Sequence, residues 1–325
     1  MHQRRRHRSR HPRTSCGFRL ASSRSRISSP ILSTRSRSRT MPAISPIDLL
    51  FRGNARAIAA YLIETTDGPA LYDCGPATTL PTLKAGLVGL GTDLSEIRHI
   101  MLSHIHFDHA GAAGPIIREH PHIKLWVSER GAPHMIDPSR LERSARRLYG
   151  DEFDSLWGEL APIPEANVHI ADGTVNGWEA FPTPGHAIHH VAYFNDGTLL
   201  GGDVCGVRIQ PETHILPPTP PPDIDIESWH ASIAEIRRRS PERLALIHFG
   251  ITTDAADHLD RLEERLDLWA RRVGDGMEAD EFVRICRAEF GDAADLYELA
   301  GPIEPSWQGL RRYFDKKAEA AQASE

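Results

Sequence analysis

Four cysteines in 325 residues, Cys16, Cys74, Cys205 and Cys286, stand apart with no Cys-x-x-Cys pair among them. That spacing argues against a disulfide framework or a cysteine-built zinc site and points to a reducing compartment. No apolar run approaches the roughly 18 residues needed to cross a bilayer, so no membrane partner is expected. No Gly-x-Ser-x-Gly elbow is present, which leaves a serine nucleophile without support. The first forty residues lack lysine, aspartate and glutamate, yet hold twelve arginines and ten serines. Such a segment cannot bury enough apolar surface to offset its ordering entropy, and disorder is expected. Its composition fits a transit segment, a genuine basic arm, or an upstream extension of the reading frame before Met41-Pro42-Ala43. A cytoplasmic location is therefore expected, or an organellar one if the segment is a transit peptide. Setting those twelve arginines aside leaves 26 basic against 44 acidic side chains, a net charge of −18. A body this acidic repels a polyphosphate backbone, so nucleic acid is not an expected partner.

What the chain does have is His104-Ile105-His106-Phe107-Asp108-His109, which reads His-x-His-x-Asp-His. It follows the apolar run Ile100-Met101-Leu102. Imidazole suits zinc and related divalent ions, and carboxylate adds charge and a second binding mode. In an extended segment His104 and His106 point the same way, because side chains alternate with period two. Asp108 and His109 then fall past the strand end, where the chain turns. One imidazole pair is thus offered to a first ion and an Asp/His pair to a second. Three further residues of ligand type end buried-looking strands. His186 lies in Thr183-Pro184-Gly185-His186, Asp203 closes Leu199-Leu200-Gly201-Gly202-Asp203, and His248 closes Leu244-Ala245-Leu246-Ile247-His248.

Taken in this order, these stretches and Leu71-Tyr72-Asp73-Cys74-Gly75 resemble the metallo-β-lactamase-fold superfamily. The resemblance implies an α/β fold, a four-layer αββα sandwich with a dinuclear metal site on one edge. By that likeness His104, His106 and His186 hold one ion, and Asp108, His109 and His248 hold the other, with Asp203 bridging. Asp73 then supports the site from behind. The implied cofactor is a pair of divalent ions, zinc by preference, with iron or manganese as alternatives. The spelling Ser103-His104-Ile105-His106-Phe107-Asp108-His109-Ala110-Gly111 looks most like lactonases of the family. Those lactonases, however, carry a tyrosine three residues after the bridging aspartate, where this chain has Gly206. Glyoxalase II-like thioesterases share the ligand set. In both groups a glycine is usual where this chain has His189, a residue that either tunes the pocket or faces solvent. His190 matches a supporting histidine. Cys205 either touches the site or fills space.

Around these motifs the chain reads as three regions: a tail over 1–40, a catalytic domain over 41–253 and a helical extension over 254–325. Residues 58–64 and 69–72 predict a hairpin around Asp67-Gly68. Helices are predicted over 80–90 and 111–120, and strands over 99–103 and 123–127. The segment 130–164 is irregular and helical, with Leu148, Tyr149, Phe153, Leu156 and Trp157, and forms a lid or packs on the domain. Asp225 is positioned to cap a helix running to Arg239. Leu259, Leu262, Leu266, Trp269 and Val273 form the apolar stripe of an amphipathic helix, with an Asp267–Arg271 pair expected on its exposed face. Trp307, Leu310 and Phe314 repeat that spacing.

The expected chemistry is hydrolysis. Two divalent ions offset by Asp108 and Asp203 lower the pKa of a bridging water from about 16 towards 7, which makes hydroxide available at neutral pH. That hydroxide would attack a small ester, lactone or thioester, with Asp108 handling the proton. Alternatives are an iron-dependent oxidoreductase of the persulfide dioxygenase type and a non-catalytic metal-binding member of the same fold. The tail carries no apolar periodicity, so deleting residues 1–40 should leave folding and activity unchanged. A large fall in thermal stability of the truncated chain would overturn that expectation.

Overall fold

The structure, a computed structural model, describes residues 41–211 and 213–323, which fall within a single compact unit. The expectations for residues 1–40 lie outside the described residues. Two six-stranded sheets form the centre. The first pairs, in this order, β1 (Ile44–Asp48), β2 (Ala59–Thr65), β3 (Gly68–Tyr72), β4 (His99–Met101), β5 (Lys124–Val127) and β6 (Val168–Ile170). The second pairs β7 (Gly173–Val175), β8 (Trp178–Pro182), β9 (Val191–Asn195), β10 (Thr198–Leu200), β11 (Arg243–Leu246) and β12 (Gly250–Thr252), also in chain order. The β3–β4, β4–β5, β5–β6 and β10–β11 pairs are parallel, and the rest are antiparallel.

Period-two alternation gives β9, β10 and β11 of the second sheet two apolar faces. Val191, Tyr193, Leu200, Ala245 and Ile247 join the cluster shared with the first sheet. Ala192, Leu199, Leu244 and Leu246 turn the other way, towards the later helices. Aromatic contacts bridge the two sheets: Tyr72 meets Tyr193 edge-on at 6.0 Å, and the Tyr61 hydroxyl donates to the Leu246 carbonyl at 2.7 Å.

Helices α1 (Leu80–Gly89), α2 (Phe107–Ala110) and α3 (Ala113–Glu119) follow strands of the first sheet. Leu83, Leu87, Ile116 and Ile117 of α1 and α3 cover that sheet. The 130–164 segment resolves into α4 (Ala132–Ile136), α5 (Ser139–Tyr149) and α6 (Phe153–Leu156). Its aromatics pack on the domain beside Phe107. Phe153 meets that ring edge-on at 5.8 Å, and Trp157 lies 5.8 Å from it while stacking on Phe51 at 5.7 Å. Leu148 stays exposed.

On the second sheet lie α7 (Ile226–Arg238), α8 (Ala255–Gly274), α9 (Ala279–Phe290), α10 (Ala294–Ala300) and α11 (Ile303–Ala323). The Asp225 carboxylate caps α7 by accepting from the Ser228 N–H at 2.7 Å. In α8 the stripe Leu259, Leu262, Leu266, Trp269 and Val273 is buried throughout. Each such side chain contributes roughly 1.5–3 kcal/mol on burial. The expected Asp267–Arg271 pair gives way to a contact between helices, where Asp267 accepts from His230 Nε2 of α7 at 2.9 Å. Two partly shielded charges meeting across a packed interface outcompete a solvated neighbour on the same helix.

His258, near the start of α8, is fully buried, and its Nε2 donates to the Cys205 carbonyl at 2.7 Å. Burial holds its pKa down at about 4, with Arg208, Asp254 and Arg261 as neighbouring charges. Unfolding restores an ordinary value near 6.5, so the unfolded chain binds more protons between about 6.5 and 4. Stability contributed by the neutral ring is therefore complete above about pH 6.5 and is lost as pH falls towards 4, by up to roughly 3 kcal/mol. Urea denaturation at pH 7 and 4.5 should show a smaller acid loss for His258→Gln than for the wild type. Equal losses would overturn the assignment.

Candidate metal centre

Five strands deliver the site residues to one edge of the sandwich. β3 leads to Asp73, β4 to the 103–109 stretch, β8 to His186, β10 to Asp203 and β11 to His248. Backbone geometry fixes two of these exits. Gly185, at φ 141°, lies so close to α7 that a Cβ would stand 2.4 Å from the Cα of Trp229, and this contact holds His186 inward. Gly202, at φ 53°, leaves room for His190 Nε2, which a Cβ would approach to 2.6 Å.

The seven ligand-type residues come together. His104 Nε2 lies 2.9 Å from His106 Nδ1, and His186 Nε2 lies 3.3 Å from the former and 3.1 Å from the latter. Beside this trio, Asp108 Oδ2 stands 3.5 Å from His109 Nε2 and 3.4 Å from His248 Nε2. Asp203 faces both groups, with Oδ1 3.3 Å from His109 Nε2 and Oδ2 3.5 Å from His186 Nε2. Three sets of these side chains offer ligand atoms within 4.8 Å of one another: His104/His106/His186, His104/His109/Asp203 and Asp108/His109/His248.

The outward nitrogens explain why the inward ones are free. His109 Nδ1 donates to Asp73 Oδ2 at 2.8 Å, His186 Nδ1 to the Pro218 carbonyl at 2.8 Å, and His248 Nδ1 to the Ala57 carbonyl at 2.7 Å. Ser103 spends its single hydroxyl proton on Asp73 Oδ2 at 2.7 Å, so its oxygen accepts from His104 Nδ1 at 2.9 Å. Each ring then carries its Nε2 lone pair towards the centre. The inward Nε2 atoms of His109 and His248, and Asp203 Oδ1, are buried and lack a hydrogen-bond partner. Such atoms are costly to bury and point to an ion as the missing partner. The residues present therefore fit divalent metal.

Electrostatics agrees with that donor set. Burial, then the neighbouring imidazoles, keeps His104 and His106 well below their ordinary range, so both rings stay neutral. Burial would raise Asp108 and Asp203, yet His109 and His248 beside them hold both carboxylates below the usual range. Burial likewise pulls His109 and His248 down, but the carboxylates of Asp203 and Asp108 outweigh it and raise both rings, so an ion held there would displace a proton from each Nε2.

Other residues singled out by the sequence fall around this centre. Asp73 is wholly buried and also accepts from the Ser103 N–H at 2.7 Å. His190 is held by Thr183, with Oγ1 and Nδ1 2.8 Å apart, and its Nε2 accepts from the Val204 N–H at 3.4 Å. Cys205 fills space in the apolar cluster under the helices and stays outside the three ligand sets. His189 is only 9% exposed and lies over the first trio, its ring parallel to His104 at 6.0 Å. Sequence reasoning missed the carbonyls of Ala57 and Pro218, because a backbone acceptor leaves no mark in residue identity. The role of Ser103 was open to discovery, since a hydroxyl directly before the motif is a plausible ligand-orienting group.

Comparison with known proteins adds the lineage. The profile described as "Metallo-beta-lactamase superfamily" matches residues 53–248. The protein YobT of Bacillus subtilis is 26% identical over 157 residues, covering 46% of this chain and 63% of the relative. A probable metallo-hydrolase of the same organism, YqjP, is 28% identical over 174 residues, covering 45% of this chain and 52% of the relative. The chain thus spans less than two thirds of either relative's length. A metallo-beta-lactamase family protein from Thermus thermophilus shares the fold with a TM-score of 0.62 at 18% identity, over 86% of this chain and 94% of the other. With the family spanning the segment that carries all seven residues of the centre, this chain belongs to the metallo-beta-lactamase superfamily.

Proposed function

We propose that the chain is a hydrolase that uses two divalent ions, zinc by preference, to cleave a small ester, lactone or thioester. The observation that carries this reading is the set of buried, unpartnered inward atoms on His109, His248 and Asp203, facing the His104/His106/His186 trio. In support, the relative YqjP is named as a probable metallo-hydrolase. His104, His106 and His186 would hold one ion, and Asp108, His109 and His248 the other, with Asp203 shared. When bound, such ions supply a nucleophilic hydroxide at neutral pH and polarise the substrate carbonyl. Asp73 and the carbonyls of Ala57 and Pro218 keep the imidazoles in the right tautomer and orientation. Asp108 is the less buried carboxylate of the pair, with 22% of its side chain exposed against 6% for Asp203. That exposure supports a role for Asp108 as the group that would take the proton from an attacking water and pass it on. Phe107, the residue before Asp108, packs against Phe153 and Trp157, which helps to fix the turn that carries Asp108. The net charge of −18 on residues 41–325 disfavours phosphodiester polymers.

Two tests address this reading. Elemental analysis of purified, metal-supplemented protein should give close to two divalent ions per chain, and activity should appear on acyl-homoserine lactones, glutathione thioesters or aryl esters. A content of one iron with thiol oxidation, or a preference for phosphodiesters by orders of magnitude, would overturn it.

Asp108→Asn removes one negative charge with almost no change of shape. The variant should stay folded, keep the ion held by the three-histidine set, and carry roughly one ion per chain. Its kcat should fall by about a hundred- to ten-thousand-fold from the loss of the proton acceptor alone. Two ions and near-native turnover would show that Asp108 is only structural.

A further inference from the structure

His189 belongs to none of the ligand sets, yet it stands among them. Its ring centroid lies 6.0 Å from that of His104, with planes 12° apart, and 5.6 Å from that of His106, nearly perpendicular. The side chain is 9% exposed, and its Nδ1 is buried with no hydrogen-bond partner. The neighbouring histidines are both employed: His186 Nδ1 donates to Pro218, and His190 is held between Thr183 and Val204. An imidazole has one N–H and one lone pair in either neutral tautomer, and leaving one buried and unpaired costs about 1–3 kcal/mol. Packing alone does not require that cost, because an apolar ring would fill the same space.

We infer that His189 is a specificity-determining residue, whose imidazole pairs with a polar substituent on the acyl part of the substrate. The inference rests on the hydrolase reading above and narrows it. With its ring centroid 6.0 and 5.6 Å from those of His104 and His106, a group bonded to His189 would lie roughly two or three bonds along the substrate from an atom held at the His104/His106/His186 set. The substrate class this favours is an acyl compound with a hydroxyl, oxo or amide group close to the scissile carbonyl. A site that buries a hydrogen-bonding group discriminates strongly against analogues lacking its partner, because the protein atom is then left unpaired.

The test compares p-nitrophenyl 3-hydroxybutanoate with p-nitrophenyl butanoate, which share a leaving group and differ by one hydroxyl. The wild type should favour the hydroxy ester in kcat/KM. His189→Phe keeps a ring and removes both nitrogens, and it should lower that preference by about tenfold or more. His189→Asn, which restores a polar group near Nδ1, should recover part of it. Ion content and thermal midpoint, measured on both variants, separate recognition from a structural role. An unchanged preference in His189→Phe, or no preference in the wild type, would overturn this assignment alone. Loss of an ion from His189→Phe would also overturn it, by making the residue a support for the metal centre. Failure of the wild type to hydrolyse either ester would overturn it together with the ester branch of the hydrolase reading.

Discussion

The geometry of the whole centre hangs on one buried carboxylate. Asp73 accepts from the Ser103 N–H, the Ser103 hydroxyl and His109 Nδ1 at 2.7, 2.7 and 2.8 Å. Those bonds join the end of β3 to the end of β4 and to α2, three pieces of chain that carry four of the seven ligand-type residues. Burial raises the pKa of Asp73, and the donors around it pull the other way. The group sits at φ 50°, a left-handed conformation that aspartate tolerates better than most residues. Removing the carboxylate would release the Ser103 hydroxyl and the His109 ring together, and the tautomers of His104 and His109 would no longer be specified.

The converging lone pairs carry an energetic meaning of their own. Nε2 of His104 and His186 and Nδ1 of His106 lie 2.9–3.3 Å apart. Acceptors crowded this closely repel one another unless a proton or a cation lies between them. Folding thus gathers three imidazole nitrogens that would be well solvated in an unfolded chain, and a proton or a cation must lie between them. Ion binding and folding are coupled at that point, since a cation that binds the folded chain preferentially also stabilises it.

Much of this was legible in the sequence, for reasons that differ from element to element. The motif 104–109 and the strand-end residues His186, Asp203 and His248 announce themselves because ligand chemistry restricts residue type. The α8 stripe was readable because a 3,4,3,4 spacing leaves one face to bury. The short strands β6, β7 and β12 were not, because three residues carry too little periodicity. The 130–164 segment was ambiguous because its aromatics serve either a lid or a core equally well, and only the stacking of Trp157 on Phe51 and the edge-on contact of Phe153 with Phe107 decide for packing. The Asp267–Arg271 pair was misplaced because an i,i+4 rule cannot see His230 arriving from another helix.

The two-faced strands β9, β10 and β11 make the later helices an inseparable part of the architecture. Among the described residues, the apolar cover of Leu199, Leu244 and Leu246 comes from α7 to α11 and their neighbours. Cutting the chain after residue 253 would strip one wall from the same strands whose ends lead to Asp203 and His248. The helical extension and the half that carries the candidate metal centre are thus two tenants of one partition. Any lineage that varies the extension to suit new partners must keep its inner surface greasy, and is free to rewrite only the outside.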